Sequence, residues 1–239
     1  MRAATSSLLG FLLSLTATSA AAADAAERSI IGFSGDGRWF AFEEFGVDDG
    51  TGAAYSSIYV LDVENDEWTP ESPVRVSDDE SASKALWEIR RETLEQAAPM
   101  IEKYATYHPG KSLASNAVGE QVANPRVMVF KRFHNLSQTW TVKLDTIDVP
   151  APPGCANRGP VVGFAVSAGL SDGEIRELAR DHSIPRSRGC PLEYRLADVV
   201  AFGESETAKT VVLIHVLREG FKGRNARFIA LPVDLSSSR

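Results

Sequence analysis

Residues 29–44 read SIIGFSGDGRWFAFEE, two runs of alternating apolar residues separated by Gly-Asp-Gly. This pattern predicts a β-hairpin whose turn contains the two glycines and the aspartate. Residues 56–63 (SSIYVLDV) follow a Gly- and Asp-rich loop and are apolar on both faces. A strand of that kind normally lies in the middle of a sheet. The first part of the chain is therefore predicted to form a sheet.

Strand patterns recur along the rest of the chain. A short strand is predicted over residues 68–76, and Pro70 and Pro73 place it at a sheet edge because proline cannot donate to a ladder. Residues 107–124 are expected to form a long loop and residues 172–181 a short helix. Together the patterns predict about nine strands. The remaining strands are predicted over residues 127–133, 139–149, 162–166, 192–202, 210–217 and 227–233.

A change of apolar period predicts one long helical insertion over about residues 80–105. Ser77 and Glu80 have the S-x-x-E spacing of a capping box at its start. Pro99 removes a backbone donor and is expected to kink or split the helix. Trp87 is expected in the core. The stripe expected to face the core comprises Leu86, Arg90 through its aliphatic stem, Leu94, Ala97, Ile101 and Tyr104.

These elements predict the α+β class, mainly antiparallel, with one long helical insertion. The chain of 239 residues is long enough for one sizeable core. We interpret residues 24–239 as a single β-rich domain. Its sheets are expected to be sandwich-like or propeller-blade-like, because GFSGDGRWFAF resembles the opening of a WD-type propeller blade. Residues 199–217 weakly repeat the plan of this segment, and a propeller-like protein–protein module would require the two termini to share one sheet.

The N-terminus predicts export. Arg2 precedes an apolar run over residues 8–15 and a stretch of small residues, the pattern of a signal peptide over residues 1–23. Cleavage is expected after Ala23, with Ala20 as the alternative. The apolar run is far shorter than the roughly 20 residues of a membrane-spanning helix. We therefore expect a periplasmic or secreted mature chain without a transmembrane segment.

The two cysteines agree with that location. Cys155 and Cys190 are the only cysteines, and an even number in an exported chain indicates a disulfide. The alternative, a nucleophilic or metal-binding cysteine, lacks a C-x-x-C motif and a histidine close in sequence. We therefore predict a Cys155–Cys190 bond.

The charge balance argues against nucleic-acid binding. The chain has 25 basic and 32 acidic side chains and a formal net charge of −7. An acidic surface repels phosphate backbones. One basic concentration, on the loop near residues 218–227, is a candidate site for an anionic partner such as a glycan carboxylate. Its alternative role is to keep a hairpin soluble. The four cations are Arg218, Lys222, Arg224 and Arg227.

An acidic run gives the candidate metal site. Glu43, Asp48 and Asp49 lie near two glycines, and Ca²⁺ prefers several carboxylate and carbonyl oxygens. The spacing of an EF-hand is absent, and a solvated turn is the alternative interpretation. No cofactor other than calcium is expected.

Enzymatic motifs are incomplete in this sequence. The segment PGKS at 109–112 lacks the upstream glycine of a phosphate-binding loop, where Ala105 stands. The segment GFSGDG at 32–37 has Asp36 in place of the last glycine of a nucleophile elbow. The histidines lack metal-ligand spacing. No catalytic residue is assigned.

Several segments carry a family resemblance: GFSGDGRWFAFEEFGVDDGTGAAYSSIYVLDV, PRSRGCPLEYRL and GFKGRNARFIALPVDL. With the export signal, the chain resembles a bacterial family described only as predicted secreted proteins, a domain of unknown function. The resemblance implies a secreted single domain and no particular chemistry. We therefore expect a non-enzymatic binding or structural module of the cell envelope, with an envelope protein or a glycan as its partner. The alternative is a calcium-dependent or carboxylate-based hydrolase of envelope polymers.

Overall fold

The computed structural model describes residues 24–79, 81, 83–116, 124–155 and 160–236. These residues form three antiparallel sheets, one α-helix and one short 3-10 helix, Arg186–Arg188. The first sheet contains β1 (Glu27–Phe33), β2 (Trp39–Val47), β3 (Ala54–Asp62), β4 (Glu67–Trp68) and β5 (Val74–Ser77). The second contains β7 (Val127–Arg132), β8 (Asn135–Asp148), β9 (Val162–Leu170) and β10 (Ile175–Arg180). The third contains β6 (Lys111–Ser115), β11 (Pro191–Phe202), β12 (Lys209–Glu219) and β13 (Arg224–Val233), and the helix is α1 (Leu86–Tyr104).

The predicted class is confirmed, and the strand count is higher than predicted. Thirteen strands occur in the described residues instead of about nine. The region 68–76 is split into β4 and β5, which both pair with β3. Residues 107–124 contain β6, which pairs with β11. The predicted helix at 172–181 is β10 instead, because the turn at Gly173 returns the chain against β9.

The third sheet lies between the other two, so its strands are apolar on both faces. Val212, Ile214 and Val216 of β12 pack against the second sheet in the largest core cluster. Val211 and Leu213, on the opposite face, pack against aromatic residues of β1 and β2. The layer order is therefore helix, first sheet, third sheet, second sheet, an arrangement of stacked sheets.

Helix α1 covers the outer face of the first sheet. The helix begins at Leu86, not near residue 80. Ser77 belongs to β5 and therefore does not cap it. The cap comes from Glu88, whose Oε2 accepts a hydrogen bond from the Ala85 N–H at 2.8 Å. Pro99 lies inside one uninterrupted helix. Pro99 and Glu95 are both exposed, so the carbonyl that loses its donor faces water.

The predicted core stripe of α1 is partly wrong. Trp87 and Leu94 are 62% and 52% exposed. The helix meets the first sheet near Ala41, Ile58 and Val60, so another stripe is buried. The buried residues are Ile89, Thr93, Ala97, Met100, Ile101 and Tyr104.

The two ends of the described chain meet, but their strands belong to different sheets. β1 is in the first sheet and β13 in the third. A parallel bridge joins Ala25 to Ala226, with hydrogen bonds of 3.1 Å from the Ala26 N–H and 2.9 Å from the Ala226 N–H. The shared-sheet arrangement is therefore wrong, and a single bridge covers part of the open edge of β13 instead.

The predicted disulfide is present. Cys155 and Cys190 are bonded, with Cα atoms 5.5 Å apart. They pack with Val161 and Ile184 in a small apolar cluster. The bond ties the connection after β8 to the segment that carries the 3-10 helix.

The predicted signal peptide, with both candidate cleavage sites, lies outside the described residues. Among the residues that the structure describes, no helix has the length and apolar content needed to cross a membrane.

Candidate anion-binding cleft

The structure separates the three predicted calcium ligands. Glu43 accepts hydrogen bonds from Arg90 of α1 at 2.9 and 2.7 Å and from Ser56 at 2.9 Å. Its carboxylate therefore joins the first sheet to the helix. Asp48 and Asp49 lie in the loop after β2 and meet Asp24 instead, with one carboxylate oxygen of each within 4.8 Å of the others.

Each of these three aspartate side chains already accepts a hydrogen bond from another residue. Asp48 Oδ1 accepts hydrogen bonds from the Gly50 and Thr51 backbone N–H groups, and the bonds from Thr51 lower the pKa of Asp48. Asp49 accepts a hydrogen bond from the Lys222 backbone at 2.9 Å. Asp24 accepts one from the Tyr55 hydroxyl at 2.8 Å. The calcium site stays a prediction, with Asp24 as a third carboxylate in place of Glu43.

The four predicted anion-binding cations also separate. Arg224 forms an ion pair with Glu193. Lys222 is exposed at the hairpin tip and bonds Asp49 through its backbone. Arg218 and Arg227 line a cleft between the first and third sheets.

We call this space the arginine cleft. Its volume is about 420 Å³, within the usual range of small-molecule sites. Its walls come from β2 to β5, from the β12–β13 hairpin and from the 3-10 helix. The lining includes Glu44, Tyr55, Ser57, Tyr59, Trp68, Arg75, Ser187, Arg188, Arg218, Arg227 and Phe228.

One wall combines hydroxyl groups, a guanidinium and aromatic rings. Alternate residues of β3 supply Ser57 and Tyr59, and the register places Arg75 of β5 opposite Ser57. Arg75 donates hydrogen bonds to Ser57 Oγ at 3.0 Å and to the Tyr59 hydroxyl at 3.3 Å. The Tyr59 ring lies 5.2 Å from that of Trp68, which is 39% exposed at the cleft. This wall offers both apolar surface and polar donors.

The opposite wall is held by ion pairs to the N-terminal segment and to β2. Arg227 is paired with Asp24, and its guanidinium lies 4.5 Å from the centre of the Tyr55 ring. Glu44 Oε2 accepts a hydrogen bond from the Phe228 N–H at 2.6 Å, while Glu44 Oε1 lies 3.8 Å from Arg227 Nε. These contacts fix the edge of β13 against the first sheet.

The 3-10 helix closes one end of the cleft. Its residue Arg188 donates to both carboxylate oxygens of Asp181, at 2.8 and 2.7 Å. The guanidinium lies 4.8 Å from the centre of the Phe164 ring. The disulfide at Cys190 anchors this end two residues further along the chain.

The cleft holds more positive than negative charge. Arg188 and Arg227 have carboxylate partners, whereas Arg75 and Arg218 lie beyond ion-pair distance of every carboxylate in the described part of the chain. Arg218 is half-buried and also has no side-chain hydrogen bond among those residues. Burial, followed by repulsion from Arg227, lowers the pKa of Arg218, which as a guanidinium stays charged.

Buried acidic groups respond in the opposite sense. Burial raises the pKa of Glu44, although Arg227, Arg218 and Arg75 oppose the rise. Burial also raises the pKa of Tyr59, so its hydroxyl stays neutral. The cleft can therefore supply positive charge and hydroxyl groups to a ligand.

The sequence reasoning missed most of this cleft. Trp68 and Arg75 come from one predicted strand region and from one sheet, whereas Arg188 and Arg218 come from distant segments, and only the packing of the sheets brings the two groups together. One local feature of the sequence could have indicated Arg75 as a candidate ligand-binding residue. Arg75 lies between two valines in a predicted edge strand, so no adjacent residue carries a negative charge to pair with it.

Comparison with known proteins gives one match. A family model described as "Predicted secreted protein (DUF2259)" matches residues 41–234, which include every residue that lines the cleft. No curated protein and no solved structure matches the chain.

Proposed function

The chain belongs to the DUF2259 family of predicted secreted proteins, and from that premise we propose that it is a non-enzymatic binding protein of the cell envelope whose arginine cleft holds an anionic ligand. The leader predicted over residues 1–23 and the Cys155–Cys190 disulfide support a periplasmic or oxidising extracellular location. An envelope glycan or an envelope protein would present the anion.

The unpaired guanidinium of Arg218 is the observation that carries the proposal. A half-buried charge with no ion pair or hydrogen bond among the described residues costs free energy, because it has lost part of its water while Glu44 acts on it only from beyond ion-pair distance. Arg75 lines the same cleft and, within the described ranges, donates hydrogen bonds to the neutral hydroxyl groups of Ser57 and Tyr59. A bound carboxylate, phosphate or sulfate would supply a negative charge to these guanidiniums and could accept the bidentate hydrogen bonds that arginine favours.

Calorimetric titration with glucuronate, sulfate and inorganic phosphate at low salt tests this function. We expect at least one anion to bind and Arg218→Ala to weaken its binding by about tenfold or more, the effect of losing a charge-assisted hydrogen bond. The same substitution should leave the melting temperature unchanged or raise it, since it removes an unpaired charge.

The matched control is Arg91→Ala. Arg91 is an exposed arginine of α1 that does not line the cleft. Equal weakening by both substitutions, or no binding of any anion to the unaltered protein, would contradict the proposal.

The second candidate is a hydrolase of envelope polymers. In its carboxylate-based form, Glu44 favours it, because a buried carboxyl group with a raised pKa in a cleft is a candidate general acid. It ranks second because Glu44 is 3% exposed and already bonds the Phe228 backbone. Release of new reducing ends from an acidic polysaccharide, lost in Glu44→Gln, would support it.

The calcium-dependent form of the hydrolase makes a separate prediction. It requires Asp24, Asp48 and Asp49 to bind the ion. Calcium should then raise the melting temperature, and Asp49→Asn should abolish that rise. Unchanged melting in EDTA and in added calcium would remove this form.

A further inference from the structure

We propose that the anionic ligand of the arginine cleft is an acidic saccharide, whose sugar ring packs on Trp68 and whose carboxylate is held by Arg218 and Arg75. This inference rests on the proposed function and adds the class of ligand. It follows from three features of the cleft: an exposed aromatic face, two guanidiniums that form no ion pair within the described part of the chain, and hydroxyl groups in the lining.

The aromatic face, formed by Trp68 and Tyr59, is preorganised by ring packing. Trp68 lies against Tyr59, and Tyr59 is stacked on Phe42 with a centroid distance of 5.1 Å and an interplanar angle of 10°. Trp68 is therefore supported from behind while 39% of its surface stays exposed. An amphipathic ring of this kind offers apolar contact area that costs little conformational entropy. The C–H face of a sugar fits such a surface, whereas an inorganic anion makes no use of it.

One guanidinium lies beside that face and the other lies on the opposite wall. Arg75 is bonded to the Tyr59 hydroxyl at 3.3 Å, so its positive charge is fixed at the end of the aromatic wall. Arg218 belongs to the opposite wall, where Arg227 beside it is already paired with Asp24. A uronate places a carboxylate directly on the sugar ring, so a ring packed on Trp68 brings its charge to these arginines.

Hydroxyl groups complete the match. The exposed Ser187 lines the cleft, and its hydroxyl can both donate to and accept from a sugar hydroxyl, whereas Ser57 is buried and holds Arg75 in place. The acidic group of the cleft, Glu44, is buried and engaged with the Phe228 backbone, so it presents little negative charge to a ligand. The volume of about 420 Å³ suits a short saccharide in a concave site.

The test compares three probes on the mature protein by calorimetry and tryptophan fluorescence: digalacturonate, its neutral methyl ester, and inorganic phosphate. We expect digalacturonate to bind at least tenfold more tightly than either of the others. Trp68→Ala should weaken digalacturonate binding about tenfold or more. Trp87→Ala, which removes an exposed tryptophan of α1, should not. Arg218→Lys keeps the positive charge but loses the planar guanidinium that donates two parallel hydrogen bonds. It should therefore weaken the binding to a smaller extent than Arg218→Ala.

The outcomes separate the two proposals. If phosphate binds as tightly as digalacturonate, or if Trp68→Ala has no effect in a protein that melts normally, the saccharide inference is wrong and anion binding stands. If Trp68→Ala does not fold, the preference for digalacturonate over phosphate decides the question in the unaltered protein. If none of the three probes binds and no other anion does, both proposals fail.

Discussion

Glu43 and Glu44 are consecutive residues of β2, and their carboxylates connect opposite faces of the first sheet to different layers. Glu43 receives two hydrogen bonds from Arg90 of α1, and Glu44 receives one from the backbone of Phe228 in β13. Strand alternation produces this division, because neighbouring side chains point to opposite faces. Two adjacent acids therefore hold the helix, the first sheet and the third sheet together.

The Glu43–Arg90 pair is expected to stabilise the docking of α1. Glu43→Ala would leave Arg90 and Ser56 without their acceptor and should lower the free energy of unfolding by about 1–3 kcal/mol. Urea denaturation measures the change. The matched substitution Glu95→Ala affects only an exposed pair with Arg91 and should cost less than about 1 kcal/mol. Equal effects would show that the burial of Glu43 adds nothing.

The buried carboxyl group of Glu44 is expected to make the protein less stable as the pH rises through the pKa of Glu44. Its pKa is raised in the folded protein by burial, so the folded state binds the proton more tightly than the unfolded state. Its contribution to the free energy of unfolding is fully present below the ordinary glutamate pKa and is lost as the pH rises through the raised value. Glu44→Gln keeps an acceptor for the Phe228 N–H and should flatten this part of the stability–pH curve, measured by urea unfolding. An unchanged curve would contradict the assignment.

His215 predicts a loss of stability in acid. Burial lowers its pKa from 6.5 to about 4, with Arg28 adding to the effect. Between pH 6.5 and 4 the unfolded chain therefore binds a proton at His215 more readily than the folded chain does. The free energy of unfolding falls as the pH drops through this range, by about 3 kcal/mol at most. His215→Leu should remove this dependence, because the Nε2 atom has no hydrogen-bond partner to lose among the described residues. Substitution of His182, which is exposed, should change little. The measurement is unfolding by urea at several pH values.

The disulfide is expected to support both the fold and the cleft. It closes a loop of 35 residues, for which the chain-entropy model gives a stabilisation of about 4 kcal/mol. Replacing both cysteines with alanine should lower the melting temperature and weaken anion binding, because the 3-10 helix with Arg188 loses its anchor. A variant that melts early yet binds as tightly as the unaltered protein would limit the role of the bond to stability.

Local pattern predicted the elements better than it predicted the site. The hairpin of residues 29–44 was predictable because its alternation and turn are complete within one segment, and Phe33 indeed pairs with Phe40. Gly32 has a reason that the sequence alone cannot give: its φ is 149°, and a Cβ there would lie 2.7 Å from the carbonyl oxygen of His108, a residue beyond the helix. The stripe of α1 was misplaced because the surface that the helix meets decides which residues are buried.

The candidate sites depended on contacts that are distant in sequence. Glu43 was grouped with Asp48 and Asp49 by proximity along the chain, whereas alternation turns Glu43 toward α1. Asp24, which does meet the two aspartates, is separated from them by two strands. In the cleft, Arg218 was identified from the density of basic residues near the β12–β13 hairpin. Its partner Arg75 was not, because a stacking of sheets is not encoded in any one segment.

The bridge between Ala25 and Ala226 also makes one wall of the cleft depend on both ends of the described chain. Asp24 leaves the ribosome 203 residues before Arg227, its ion-pair partner. Until the last hairpin has been delivered, the buried carboxylate of Asp24 has no guanidinium to meet and the wall formed by β13 does not exist. The wall of the cleft is therefore complete only when the first and last described segments are both present.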